Sequence, residues 1–219
     1  MTRVYALHAE YDQGHAKWLS LWRDFDDHDE SEPLNIADCC RPLIDDWDPP
    51  LCHFATCGCP EPDFLSLVLQ YAVNARAKNI LSEHFGDALE FLPLQVFDGV
   101  IMPDDLGPIV QPVANTLAAL RNWWTKAKLD NADNYWLLHV LKSIAPDPDE
   151  LETKRRFSFH HDPAERLDNL SAFRIRCSSD SDSVLGNRIW VTDTFLNVYN
   201  GNQMTGLKFE AVHNASPAR

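Results

Sequence analysis

Five of the six cysteines fall between residues 39 and 59, and they carry the densest chemistry in the chain. Cys52, His53, Cys57 and Cys59 place four soft or borderline ligands within eight positions, with Cys39 and Cys40 upstream. Thiolate and imidazole are the donors that zinc prefers. Structural zinc sites, however, come as two separated pairs with two to four residues inside each pair, and only Gly58 separates Cys57 from Cys59. The spacing therefore favours free thiols and no cofactor. A zinc-binding interaction module built on Cys52, His53, Cys57 and Cys59 is the alternative.

Two other clusters invite a catalytic reading. His160 and His161 beside Asp162 resemble an acid and base set, and Asp45, Asp46 and Asp48 a carboxylate set for glycoside or metal chemistry. Neither has a matching partner set at fixed spacing, and histidines beside an Asp-Pro step are ordinary loop residues. The chain has no Gly-x-Ser-x-Gly elbow, phosphate loop, dinucleotide fingerprint or His-Glu-x-x-His motif. A protein that is not an enzyme is expected, with an uncharacterised hydrolase as the competing class.

Charge narrows the partners. The formal net charge is -14, so the surface repels phosphate backbones and anionic lipid, and the one basic run, Lys154, Arg155 and Arg156, is too short to reverse that field. Neither nucleic acid nor a membrane is expected as a partner, whereas a basic protein surface would be attracted. Residues 1–50 carry twelve acids against four Lys and Arg, with a dense run in Asp24, Asp26, Asp27, Asp29, Glu30 and Glu32. A solvated loop explains such a run as well as a binding face does. The opening ten residues mix Arg3, His8 and Glu10 with short apolar pairs, and no 18-residue apolar stretch occurs, so a soluble, unexported chain with reduced thiols is expected.

With 45 % hydrophobic residues, the chain can bury a large core. Val4, Tyr5 and Leu7 suit a short strand, while Trp18, Leu21, Trp22 and Phe25 follow helical spacing. Asp63 is placed to cap a helix carrying Leu65, Val68, Leu69 and Ala72 and ending near Gly86. Leu89 to Phe97 reads as one strand, with Pro93 marking an edge position or an entry point. Val113, Leu117, Leu120, Trp124 and Ala127 define a helix opened by Pro112.

Farther along, Tyr135 to Ile144 is apolar on both faces, as a central strand is, and Phe157 with Phe159 suggests another strand. Phe173, Ile175 and Cys177 alternate with Arg174 and Arg176 in the manner of a half-buried strand. Arg188 to Val191 forms a short strand, Thr192 or Asp193 caps a helix with Phe195, Leu196 and Tyr199, and Leu207, Phe209 and Ala211 line a last strand. The expected class is α+β, a mixed and mostly antiparallel sheet with packed helices behind an irregular, Pro- and Cys-rich N-terminal third. Residues 1–60 form the acidic segment, 61–213 the α+β domain, with a helical insertion at about 98–133, and 214–219 a frayed tail.

The order of short motifs resembles the immunity protein 11 family, found beside toxins in bacterial polymorphic toxin systems. Those motifs are Ile80-Leu81-Ser82-Glu83, Leu89 through Leu94, Tyr135 through Leu141, Phe173-Arg174-Ile175, Ile189 through Asp193, and Thr205 through Phe209. The likeness spans roughly residues 45–213 and departs from the pattern at His139, where Asn is expected, and in the segment from about Asp98 to Asp133. It implies a cytoplasmic antidote that binds a cognate toxin, a secretion-system effector, without chemistry. The candidate contact residues are Asp24, Asp26, Asp27, Asp29 and Glu30, together with Asp45, Asp46 and Asp48 around Trp47, carboxylates that rim an aromatic anchor.

Overall fold

Alternation of Val4 and Ala6 with Tyr5 and Leu7 makes the first strand, β1 (Val4–Ala9). The computed structural model describes residues 3–9, 18–21, 39–47, 49–54, 62–67, 70–97, 134–146, 151–153, 156–157, 166–167, 169–176 and 188–212. In it β1 lies inside a five-stranded sheet, between β14 (Leu207–Ala211) and β13 (Trp190–Thr192). The sheet continues through β12 (Ala172–Ile175) to β9 (Ser143–Ile144). Only the last pairing in it is parallel.

A seven-stranded sheet runs in the order β6 (Leu89–Pro93), β8 (Tyr135–Val140), β5 (Gln70–Asn74), β4 (Phe64–Leu67), β2 (Trp18–Leu21), β3 (Leu51–Phe54) and β7 (Gln95–Phe97). Its β2–β4 and β3–β7 pairings are parallel and the others antiparallel. A ribbon pairs β10 (Leu151–Thr153) with β11 (Arg156–Phe157). The helices among the described residues are α1 (Ala75–Phe85) and α2 (Asp193–Gly201). The expected α+β class with a mixed, mostly antiparallel sheet is observed. The expected division at residue 60 crosses both sheets, since β1 belongs to one and β2 and β3 to the other.

Side chains from both sheets meet in one cluster: Tyr5 and Leu7 from β1, Tyr71 and Val73 from β5, Leu138 and Val140 from β8, and Phe195 and Tyr199 from α2. Burying these large side chains contributes about 2 kcal/mol each. The opposite face of the seven-stranded sheet buries Leu65, Leu67, Leu92, Leu94, Val96 and Leu137. That of the five-stranded sheet buries Phe173, Ile175 and Trp190.

Several local expectations change. Trp18 to Leu21 is a strand rather than a helix, paired on both sides by β3 and β4; Trp22 and Phe25 lie outside the described residues. The helix expected from Asp63 is a hairpin, β4 to β5, and α1 starts only at Ala75, where Asn74 Oδ1 accepts the Ala77 N–H at 2.9 Å. A near-continuous apolar run fits both periods, and two neighbouring strands decide the matter. α1 does end at Gly86.

Leu89 to Phe97 splits at Leu94, whose N–H donates to Tyr135 O at 3.0 Å, and β6 with Pro93 is an edge strand as expected. The central strand stops at Val140, and the chain crosses to the other sheet before β9. The strand carrying Phe173 is not half-buried. Arg174 is 0 % exposed, and its Nη2 donates to Gln70 Oε1 of the facing sheet at 2.9 Å. Thr192 occupies the N-cap of α2 without capping it. The expected helix at Val113 to Ala127 and the insertion that holds it lie outside the described residues.

Candidate partner-binding site

β6 and β8 pair so that Glu90 stands opposite His139, on the face that also carries Leu92 and Leu137. Continuing the register that pairs Ala72 with Leu137 sets Gln70 opposite His139 on the other side. One row across three strands is therefore polar in an otherwise apolar face, and two of its members grip a loop. His139 Nε2 donates to Arg41 O at 2.9 Å. The Glu90 carboxylate accepts the Leu43 N–H at 2.9 Å and the Ile44 N–H at 3.0 Å.

These bonds fix the start of a short 3-10 turn, Ile44–Asp46, and a carboxylate suits that end because first-turn N–H groups lack partners within the helix. Trp47 closes the turn. Its indole N–H donates to Pro93 O at 2.7 Å, and its ring packs with Leu43 against the apolar face. The result is a turn tied to edge strand β6 at both ends, with Ile44, Asp45 and Asp46 facing solvent. Ile44 is 48 % exposed, the one large exposed hydrophobic among the described residues. Neither Asp45 nor Asp46 makes an ion pair among them.

Of the residues expected to meet a partner, Asp45 and Asp46 are thus exposed side by side. Trp47 is turned inward, so it holds the turn instead of projecting from it. Asp24, Asp26, Asp27, Asp29, Glu30 and Asp48 lie outside the described residues, as do Cys57, Cys59, His160, His161 and Asp162. Ile44 was missed, because an apolar residue next to Leu43 carries no local mark of exposure.

Cys52 is wholly buried among leucines, where its Sγ donates weakly to Pro50 O at 3.7 Å. Burial pushes its thiol up to about 12, which opposes the thiolate a metal requires. No group of three potential metal ligands occurs among the described residues. Nor is any helix among them long and apolar enough to cross a membrane.

His139 titrates against the fold. Burial holds its imidazole below the ordinary range; the Arg41 carbonyl and the Glu90 charge act upward, and the Arg174 charge acts downward. Its Nε2 carries the proton given to Arg41, so Nδ1 faces the interior as an acceptor, and it has no partner among the described residues. The unfolded chain therefore takes up a proton that the folded one refuses. Stability is complete above about pH 6.5 and falls as pH drops from there toward the lowered native value. Urea midpoints measured at about pH 7.5 and pH 5.5 should show this loss, and His139→Gln should remove part of it. Equal pH slopes in both proteins would contradict the assignment.

No protein-family model matches the chain, and no curated protein matches it in sequence.

Proposed function

We propose that this chain is an immunity protein that acts in the cytoplasm, binding a cognate bacterial toxin and neutralising it by direct complex formation, without catalysis. The observation that carries the reading is the turn Ile44–Asp46, held by Glu90, His139 and Pro93, which offers one exposed apolar side chain beside two carboxylates that form no ion pair among the described residues. A rigid turn loses little freedom on docking, so more of its contact energy appears as affinity. The order of short motifs, which resembles that of the immunity protein 11 family, supports the same reading, as does the net charge of -14. A toxin with a basic surface would be drawn in by the acids, and exclusion of water around Ile44 would slow its departure.

The test is co-expression of this chain with the toxin encoded beside it. Cells should survive, and the two proteins should co-purify. Ile44→Glu, at an exposed position, should leave folding intact and raise the dissociation rate about tenfold or more. Asp45→Lys with Asp46→Lys should lower the association rate at low salt. Survival without a complex would point to an enzymatic antidote and overturn the proposal. Unchanged rates in both variants would remove this turn from the interface.

A further inference from the structure

Glu90 and His139 hold one loop from two neighbouring strands, and the hydrogen bonds they use fit only a neutral imidazole. We propose that His139 is a proton-operated latch, whose protonation releases residues 41–47 from the edge of the seven-stranded sheet. Its consequence for a partner rests on the reading of the turn Ile44–Asp46 as the docking surface.

Donors and acceptors along the polar row decide which form of the ring fits. A carbonyl only accepts, so the 2.9 Å bond to Arg41 O uses the proton of Nε2 and leaves Nδ1 as a lone pair. His139 is 0 % exposed, and Nδ1 has no hydrogen-bond partner among the described residues. Gln70, opposite it on β5, is poorly suited to receive a second N–H. Its Oε1 is engaged by Arg174 Nη2 at 2.9 Å, and its Nε2, likewise without a partner among the described residues, can only donate.

A proton on Nδ1 adds both a donor and a charge at this buried position. Burial opposes that charge most, and Arg174 on β12 opposes it too, while the Arg41 carbonyl and Glu90 on β6 favour it. Cys40, beside Arg41 in the loop, adds no charge, because burial pushes its thiol up. Glu90 is thus the anion at hand, yet Nδ1 makes no hydrogen bond to it, and its carboxylate is engaged with the Leu43 and Ile44 N–H groups. Making that bond turns the ring off Arg41 O or draws the carboxylate off the turn. Either movement removes bonds that hold the loop, and a ring that stays in place keeps a charged donor unpaired in the interior. Release gives the ring to water, which solvates the charge. The open loop therefore binds the proton more tightly than the closed one. Opening grows as pH falls below about 6.5, about tenfold per unit until the closed form also takes up the proton.

The intact protein, labelled with nitrogen-15, is followed by hydrogen exchange at the Leu43 and Ile44 amides at about pH 7.5 and about pH 5.5, each rate being divided by the intrinsic rate at that pH. The opening constant read in this way should rise about tenfold, and low urea should leave it unchanged, because a local opening exposes little surface. His139→Gln keeps a donor for Arg41 O and takes up no proton, so its opening constant should be the same at both pH values. In the unsubstituted chain, the nitrogen-15 shifts of the His139 ring should titrate together with the opening.

Three results overturn the latch: an unchanged pH response in His139→Gln, a ring that titrates while both amides keep their protection, or exchange that urea accelerates as much as it does at the β5 and β8 amides. Docking is tested separately. With the toxin encoded beside this chain bound, a drop to the lower pH should raise the dissociation rate in the unsubstituted protein and not in His139→Gln. A latch that opens without changing that rate would remove the turn from the interface and leave the latch standing.

Discussion

Gly206→Ala is expected to cost about 3–5 kcal/mol of folding stability, combining backbone strain with an overlap that cannot relax. Gly206 sits at φ 102°, a conformation that residues with a Cβ rarely adopt. A methyl group there would lie 2.2 Å from Phe64 O and 3.0 Å from Phe64 C. Both are backbone atoms of β4, whose neighbours on the two sides fix its position. Phe64 is itself buried against Phe195 and Tyr199, so moving β4 away would disturb the shared core. For a chain of this size the loss corresponds to a fall in Tm of about 10 °C. A fall below about 2 °C in calorimetry would mean that this turn yields easily, contrary to the close approach.

Asp63→Ala should cost about 3 kcal/mol, through the same joint. Asp63 is 5 % exposed and its carboxylate is a hub. It accepts from Thr205 N at 3.0 Å, from Asn74 Nδ2 at 3.3 Å and from Arg76 Nη1 at 2.6 Å. Arg76 in turn donates to Asn202 O, so the start of β4, the first turn of α1 and the loop after α2 are tied at one point. Arg76 is half exposed, so water screens the ion pair and the bonds to Thr205 and Asn74 supply most of the effect.

Asp63→Asn keeps an acceptor oxygen and should lose about half as much. Urea unfolding of both variants measures the difference, and equal losses would show that charge, not hydrogen bonding, matters there. Because Gly206 and Asp63 act on one joint, the double variant should lose less than the two single losses added together.

The proposed docking turn is likewise held by four bonds, from Glu90, His139 and Trp47. Glu90 and His139 are 49 positions apart in sequence and adjacent in the sheet, and each holds part of a loop nearly 50 or 100 residues away. Nothing local marks either residue for that work. Glu90 shares the face of Leu92, where nothing in the alternation shows that a loop will meet it, and nothing in the apolar strand around His139 shows that its ring reaches Arg41.

Where period or a breaker was clear, the residues alone determined the element, although the caps expected at Asp63 and Thr192 are not made. β1, α1 ending at Gly86, α2 with Phe195 and Tyr199 inward, and β14 are of this kind, and so is the edge position of β6 signalled by Pro93. The order of strand and helix patterns likewise settled the α+β class, and composition the net negative charge. Tertiary structure alone decided the hairpin at Phe64 to Asn74, the burial of Arg174, the inward turn of Trp47 and the exposure of Ile44.

The physical reason is common to these cases. A strand's hydrogen bonds and both of its faces are completed by segments distant in sequence, whereas a helix satisfies its own backbone within four residues. Short apolar runs therefore leave the choice of helix or strand open, and burial of a charged or aromatic side chain depends on what a facing sheet supplies. Period and capping are properties of neighbours along the chain. Register, partner and exposure are properties of neighbours in space.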